Sequence, residues 1–153
     1  MKQADSESSI FSRIISDHTV QRELMEKLLD TSGDTEERDQ LFHKFVHEFK
    51  AHAAAEEHAF YAPMLEQPET TEQSRHSVAE HHEAMELIAQ LEKTDLSSPS
   101  WIATFKKLAD ENEHHMQEEE QEVFNIVRKK MSAAEIDGML ATFDKRKAEE
   151  LDG

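Results

Sequence analysis

The stretch FVHEFKAHAAAEEHAFYAP, residues 45–63, decides the fold class. Its candidate inward positions recur in steps of three and four residues, at Phe45, Phe49, His52, Glu56, Ala59 and Pro63. An α-helix turns about 100° per residue, so positions at these steps share one face. The stretch is therefore predicted to be an amphipathic helix whose apolar face carries a histidine and a glutamate one turn apart.

Three further segments show the same periodicity, and a histidine interrupts each apolar stripe. The stripes are Phe11, Ile14, His18, Met25 and Leu28; Val78, His81, Met85 and Ile88; and Phe105, Leu108, His115, Glu119, Val123 and Ile126. With only 3 glycines and 3 prolines, the chain has few breaks, and these place helices near 8–30, 35–66, 71–94, 99–131 and 133–149. We predict an all-α fold, an antiparallel up-down four-helix bundle (residues 8–131) with a short C-terminal fifth helix.

Capping residues support these boundaries. Asp34, after the turn at Gly33, is a candidate N-cap for the second helix. Ser98-Pro99 is typical of a helix start, with proline at the first helical position. Ser132-Ala-Ala-Glu135 has the pattern of a capping box and predicts where the fifth helix begins.

Composition argues against several classes of site and partner. The chain has no cysteine, so a metal would be held by histidine, aspartate or glutamate. Its 34 acidic residues against 17 basic ones give a formal net charge of -17, which repels nucleic-acid phosphates. No apolar run approaches the roughly 18 residues of a membrane span, and the first residues do not form a secretory signal. We expect a single cytoplasmic domain, residues 1–153, with no nucleic-acid or membrane partner.

The four apolar stripes carry one histidine each, and two of them carry a glutamate four residues later. Burying a carboxylate is costly unless a strong partner compensates for it, and a metal cation is such a partner. We therefore predict a metal site in the bundle core, with the ligands His18, His52, Glu56, His81, His115 and Glu119. The other six histidines fall off the stripes and are predicted to lie at the surface: His43, His47, His58, His76, His82 and His114.

The residues around these positions resemble the hemerythrin family in its bacterial form, the His-His-Glu cation-binding domain. The matching motifs are Asp17-His18, His52-Ala-Ala-Ala-Glu56-Glu57 followed by Phe60-Tyr61, Glu80-His81, and His114-His115-Met-Gln-Glu118-Glu119-Glu120 followed by Val123-Phe124. The resemblance implies a non-heme centre of two iron ions with bridging carboxylates and with an oxo or hydroxo bridge between the metals. Such a centre reacts with dioxygen or with related small molecules such as nitric oxide and peroxide.

One departure affects the ligand set that the resemblance implies. Oxygen-carrying hemerythrins have a second histidine on the third helix, four residues before the first, and here that position is Ser77. Glu48 also faces inward and could take the place of the missing nitrogen. Glu57 and Glu120, each next to a predicted glutamate ligand, could replace that ligand or supplement it as a further ligand or as its support.

Three functions fit such a centre. Binding or sensing of dioxygen, nitric oxide or peroxide is the main hypothesis. The alternative is an enzyme that decomposes hydrogen peroxide or reduces a small oxidant, and metal storage or handling ranks third. Four stripe residues are predicted either to line a dry ligand pocket or simply to pack in the core: Met25, Phe49, Met85 and Phe105. Imidazole and carboxylate ligands accept iron, manganese and zinc alike.

Overall fold

The computed structural model describes residues 9–153, most of which are helical. The helices are α1 (Ile10–Leu29), α2 (Glu36–Glu56), α3 (Ala62–Leu65), α4 (Thr71–Glu92), α5 (Pro99–Glu118), α6 (Phe124–Lys130) and α7 (Ala133–Asp152). A first π turn, Glu57–Tyr61, joins α2 to α3 without a break, and a second π turn, Glu119–Val123, joins α5 to α6. No strand occurs among the described residues, and the predicted all-α fold is confirmed.

Four rods form the bundle: α1, α2 with α3, α4, and α5 with α6. Contacts between side chains show their directions, because Arg22 meets Glu113 while the earlier His18 meets the later Glu120. α1 and α5 therefore run in opposite senses. α1 also packs on α2, and α4 packs on α5. The last helix, α7, lies along α1 and α2 on the outside of the bundle.

Two predicted helix starts are confirmed and a third is wrong by one residue. The Ser98-Pro99 start opens α5, and the Ser132–Glu135 capping box opens α7. The N-cap of α2 is Thr35 rather than Asp34, because the side chain of Thr35 accepts the hydrogen bond from the backbone three residues later. Gly33 still turns the chain just before it, with a φ of 74°.

The C-terminal helix is longer than predicted. α7 contains 20 residues and continues to Asp152, as many residues as α1 contains. Neither a proline nor a glycine stops it between Gly138 and Gly153. Its buried positions are Met139, Phe143 and Lys147, which recur every four residues and therefore face the bundle.

The π turns move the inward face of two rods by one residue. Each π turn contains one residue more than an α-helical turn, so every later position is rotated relative to the α-helical periodicity. Beyond the first π turn, Met64 is buried and the predicted Pro63 is only half-buried. Beyond the second, Val127 is buried and the predicted Ile126 is half-buried. On these two rods the predicted stripes hold through Ala59 and Val123 and are wrong by one position at Pro63 and Ile126.

The core consists of two apolar clusters separated by one polar layer. The first cluster contains the aromatic residues Phe45, Phe105 and Trp101, and the second contains Phe60, Phe124 and Phe143. On each bundle helix the histidine of the stripe lies close to the boundary between the residues that enter the two clusters. The fold therefore holds the four histidines in one layer with hydrocarbon on both sides. Across residues 9–153, every helix is too short or too polar to span a bilayer.

Candidate metal centre

The structure brings the six predicted ligands together in the polar layer. Two pairs of facing rings are formed, one between α1 and α2 with centroids 5.3 Å apart and one between α4 and α5 with centroids 5.0 Å apart. All six side chains are buried, and the two carboxylates have no exposed surface. The six are His18 and His52 of the first pair, His81 and His115 of the second, and the carboxylates Glu56 and Glu119.

Glu56, the last residue of α2, lies between one histidine of each pair. One of its oxygens is 3.3 Å from His52 Nε2, and the other is 3.1 Å from His81 Nε2. Because its two oxygens face different imidazoles, this carboxylate can bridge two cations. Burial raises the pKa of Glu56, but the neighbouring histidines outweigh that effect and hold it well below its usual value.

Glu119, the first residue of the second π turn, occupies the matching position across the centre. One oxygen is 3.0 Å from His18 Nε2, and the other is 3.9 Å from His115 Nε2. Burial and the nearby charge of Glu56 raise the pKa of Glu119. The ligand atoms of Glu56 and Glu119 lie within 4.8 Å of each other. Two buried carboxylates at this distance repel each other, so positive charge between them would stabilise the pair.

Five buried atoms of this layer have no hydrogen-bond partner. They are His18 Nε2, His115 Nε2, both carboxylate oxygens of Glu56, and Glu119 Oε1. Leaving a buried acceptor unpaired costs about 1–3 kcal/mol, and a charged group costs more. Imidazole nitrogens and carboxylate oxygens are ligands for iron, manganese and zinc. The unpaired atoms therefore fit a site for metal cations.

Four carboxylates surround the centre, and each binds the outer nitrogen of one histidine. An ionised carboxylate can only accept a hydrogen bond, so the histidine Nδ1 donates it. The proton on Nδ1 leaves the Nε2 lone pair free to bind a cation and also holds the ring in place. The pairs are His18 with Glu120 at 2.6 Å, and His52 with Asp17, His81 with Glu57 and His115 with Glu80, each at 2.7 Å.

These contacts show which of two neighbouring glutamates faces the centre. The choice is between Glu119 and Glu120 just after α5, and between Glu56 and Glu57 at the end of α2. Glu119 points into the centre, whereas Glu120 binds the far side of His18 and also accepts a hydrogen bond from Arg22. Burial raises the pKa of Glu120, and these two partners lower it further than burial raises it. Glu57 likewise binds the outer nitrogen of a histidine. Both side chains support ligands and lie outside the groups of converging ligand atoms.

Glu48 does not reach the centre, contrary to the suggestion that it could replace the missing histidine. Its carboxylate accepts a hydrogen bond of 2.8 Å from Lys147 Nζ, because α7 covers this side of α2. Ser77, at the position of that histidine, is buried and its hydroxyl has no partner. Within the described residues, the nitrogen ligands that the structure brings together in the core centre are thus the four stripe histidines.

The six remaining histidines are exposed, and that prediction is confirmed. Their side chains face solvent on α2, the first π turn, α4 and α5. His43 and His82 belong to none of the groups of converging ligand atoms. His76 and His114 lie on the side where α4 packs against α5.

Tyr61 is a residue of the centre to which the sequence pattern assigned no role. It belongs to the first π turn, is fully buried, and donates a hydrogen bond from its hydroxyl to Glu119. Burial and the charges of Glu119 and Glu56 raise the pKa of Tyr61 well above its usual value, so the hydroxyl keeps its proton. On an unbroken α-helix Tyr61 would lie about 140° away from Glu56, and for this reason helical periodicity does not place it inward.

Lys147 is the second residue that the sequence did not single out. Its side chain is buried on α7, and its ammonium group lies 2.9 Å from Asp17 and 2.8 Å from Glu48. Asp17 in turn accepts the hydrogen bond from His52. The C-terminal helix is therefore tied to a candidate ligand through two side chains.

A cleft between α4 and α5 leads from the surface to the second pair of histidines. Its cavity volume is about 230 Å³. His81 and His115 line its inner end, and acidic side chains lie around the rest: Glu80, Glu83, Asp110 and Glu111. A small molecule could approach the centre by this route without displacing a helix.

Only one of the four predicted pocket residues lines this cleft. Phe49 does so, and its ring lies 6.1 Å from that of His81. Met25 and Phe105 are buried in the first apolar cluster, and Met85 packs against that cluster. These three lie one or more helical turns from the histidine of their helix, so they pack in the core beyond the polar layer. A pocket lined by all four is not what the structure shows.

The metal-free protein is predicted to lose stability as the pH rises. Burial alone would lower the pKa values of two histidines, but Glu56 and Asp17 raise that of His52 to about 10, and Glu56 and Glu57 raise that of His81 to about 9. An unfolded histidine titrates near 6.5. The folded state is therefore stabilised by these protons below about pH 6.5, and this stabilisation disappears as the pH rises through 9 to 10.

Thermal unfolding of the metal-free protein between pH 6.5 and pH 10 tests this expectation. The midpoint should fall by several degrees more than that of the metal-loaded protein, in which cations take the place of the protons. Equal midpoints across this range in the metal-free protein would show that the histidines do not hold protons in the folded state.

Comparison with known proteins supports the interpretation of the core centre as a site for metal cations. Residues 9–127 match the family described as the hemerythrin HHE cation binding domain. No curated protein matches the sequence. The fold is similar to that of a hemerythrin HHE cation binding domain-containing protein from Mycobacterium kansasii, whose crystal structure superposes with a TM-score of 0.83. The two sequences are 20% identical, and the similarity covers 94% of this chain and 88% of the other.

Proposed function

Because the chain belongs to the hemerythrin HHE cation-binding domain family, we propose that its core centre holds two iron ions joined by an oxo or hydroxo bridge. The proposed function is to bind or sense dioxygen, or a related small molecule such as nitric oxide or peroxide, in the cytoplasm. The observation that carries this proposal is the position of two buried carboxylates, each between one histidine of each pair.

The ligand atoms support a centre with two ions. One group of atoms within 4.8 Å of one another comes from His18, His52, Glu56 and Glu119, and a second comes from Glu56, His81 and His115. Four imidazoles and two bridging carboxylates supply about eight coordination positions, whereas two six-coordinate irons offer about twelve. Bound iron supplies redox chemistry and open positions for a small ligand. The protein supplies the histidine orientation, through the four surrounding carboxylates.

The cleft between α4 and α5 supports a neutral ligand. Glu83, Asp110 and Glu111 at its wall create a negative field, which repels anions and does not hinder neutral molecules. Dioxygen, nitric oxide and hydrogen peroxide are small and neutral. Phe49 provides an apolar surface at the inner end, next to His81.

Absorption spectroscopy of the reduced protein tests the main proposal. Under dioxygen or nitric oxide, the spectrum of the iron-loaded protein should change, and removal of the gas should reverse the change. The variant with both His52→Ala and His115→Ala, which lacks one histidine of each pair, should show no response. A wild-type spectrum that is unaffected by dioxygen, nitric oxide and peroxide would overturn the proposed function.

Tyr61 favours peroxide decomposition as a second candidate function. Conversion of two hydrogen peroxide molecules to two waters and one dioxygen requires protons to move between oxygen atoms. The Tyr61 hydroxyl is a buried hydrogen-bond donor that contacts Glu119 directly and can orient a group that exchanges protons there, and its ring lies 6.1 Å from that of His81 at the inner end of the cleft.

Tyr61→Phe is expected to slow peroxide decomposition about 100-fold, the lower end of what removal of one positioned hydrogen-bond donor costs. The variant retains the aromatic ring and every candidate ligand, so its metal content should equal that of the wild type. Oxygen evolution measured with a Clark electrode, normalised to iron, provides the rate. A variant as fast as the wild type would remove Tyr61 from the reaction, and a wild type without turnover would eliminate the second candidate.

A further inference from the structure

A second group of metal-ligating side chains lies at the surface between α4 and α5. His76 and Glu80 are one turn apart on α4, and Glu118 faces them from the end of α5. His76 Nε2 is 3.2 Å from an oxygen of Glu80 and 3.2 Å from an oxygen of Glu118. One ligand atom of each residue lies within 4.8 Å of the other two. A single cation can therefore contact all three.

The geometry of Glu118 differs from that of a solvated acidic residue. Its side chain is 20% exposed, yet the oxygen that faces His76 has almost no exposed surface and no hydrogen-bond partner. A carboxylate with access to water would normally keep both oxygens hydrated, because an unpaired buried oxygen is costly. The oxygen of Glu118 thus points at a position where a positive partner would stabilise it.

We propose that His76, Glu80 and Glu118 form a second site for a divalent first-row metal cation, outside the core centre. One imidazole and two carboxylates suit zinc, iron(II) and manganese. His114, one turn before Glu118 on α5, lines the same cleft as Glu80 and is the candidate for a fourth ligand. We call these residues the outer site.

Glu80 connects the outer site to the core centre. One of its oxygens accepts the hydrogen bond from His115 Nδ1 at 2.7 Å, and the other faces His76. A cation captured from solvent at the outer site is therefore separated from a core ligand by one carboxylate. Because Glu80 serves both sites, substitutions that test the outer site must fall on His76 and Glu118.

Zinc binding to the full chain tests the outer site. Wild type, His76→Ala and Glu118→Gln are prepared in parallel, and their zinc equivalents are measured by equilibrium dialysis with mass spectrometry and by titration calorimetry. Each variant should bind one equivalent fewer than the wild type, or bind that equivalent at least tenfold more weakly. His76 is 52% exposed, so its replacement should not disturb folding.

His82→Ala is the matched control, because His82 is exposed on the same helix and belongs to none of the groups of ligand atoms. It should bind as much zinc as the wild type. The number compared is a difference between preparations, so it does not depend on which metal fills the core or on what the core does. Equal zinc stoichiometry and affinity in wild type, His76→Ala and Glu118→Gln would overturn the proposal.

Discussion

Replacement of both His52 and His115 by alanine is expected to abolish metal binding in the core centre. The two changes remove one imidazole from each of the two groups of candidate ligands. They also leave the buried carboxylates of Glu56 and Glu119 with fewer positive partners. The free energy of unfolding should therefore fall by about 3–5 kcal/mol relative to the loaded wild type, as when one partner of a buried charge pair is removed.

Metal content by mass spectrometry and unfolding in urea measure these two effects. The matched control replaces His43 and His82 by alanine, because both are exposed and belong to none of the groups of ligand atoms. The control should retain the metal content and the stability of the wild type. If the His52 and His115 double variant kept the same core metal as the control, the ligand assignment would be wrong.

Lys147→Met is expected to destabilise the protein by about 3 kcal/mol. Methionine retains most of the side-chain volume but removes the ammonium group that lies between Asp17 and Glu48. Removing one partner from a buried ion pair costs about 3–5 kcal/mol, because the remaining charge is left uncompensated. The lower end applies here, since Arg13 also contacts Asp17, at 2.6 Å.

Lys145→Met is the control for this prediction. Lys145 lies two residues earlier on α7 and is exposed, so its replacement should change the free energy of unfolding by less than about 0.5 kcal/mol. Urea unfolding of both variants and the wild type provides the comparison. Similar stability for the two variants would show that Lys147 does not tie α7 to the centre.

The fold and the inner part of the centre could be predicted from sequence because both depend on one periodicity. Apolar residues at steps of three and four mark each helix face, and a histidine in each stripe marks a common height. His52 and Glu56 lie one turn apart on such a face, and the structure places them together. A regular helix converts sequence spacing into spatial position, so this part of the prediction needed no tertiary information.

Two residues beyond the glutamates, Pro63 and Ile126, were mispredicted because the π turns interrupt that periodicity. Met64 and Val127 take the inward positions assigned to Pro63 and Ile126. The same interruption brings Tyr61 against Glu119. The side-chain pattern at residues 57–61 does not by itself predict a π turn, because the extra residue is accommodated by the backbone. π turns often occur at functional sites, and both of these adjoin a buried glutamate.

Two of the surrounding carboxylates are marked in the sequence by their position directly before a ligand histidine. Which histidine each carboxylate binds depends on contacts between helices. Asp17 and Glu80 each precede a candidate ligand histidine in sequence, but each one binds the histidine of a different helix. Lys147 had no such signal, because a lysine on an amphipathic helix is usually exposed. Its burial depends on how α7 packs on α1 and α2, which spacing along one helix does not specify.

The central claim is that the core centre holds two iron ions per chain. Mass spectrometry of the metal content, on protein purified from iron-supplemented cells, tests it most directly when an absorption spectrum is recorded on the same sample. We predict close to two irons in the core of each chain, counted as the iron lost in the His52→Ala and His115→Ala double variant, with near-ultraviolet bands of an oxo bridge. A single zinc, or no metal that depends on these histidines, would contradict the claim.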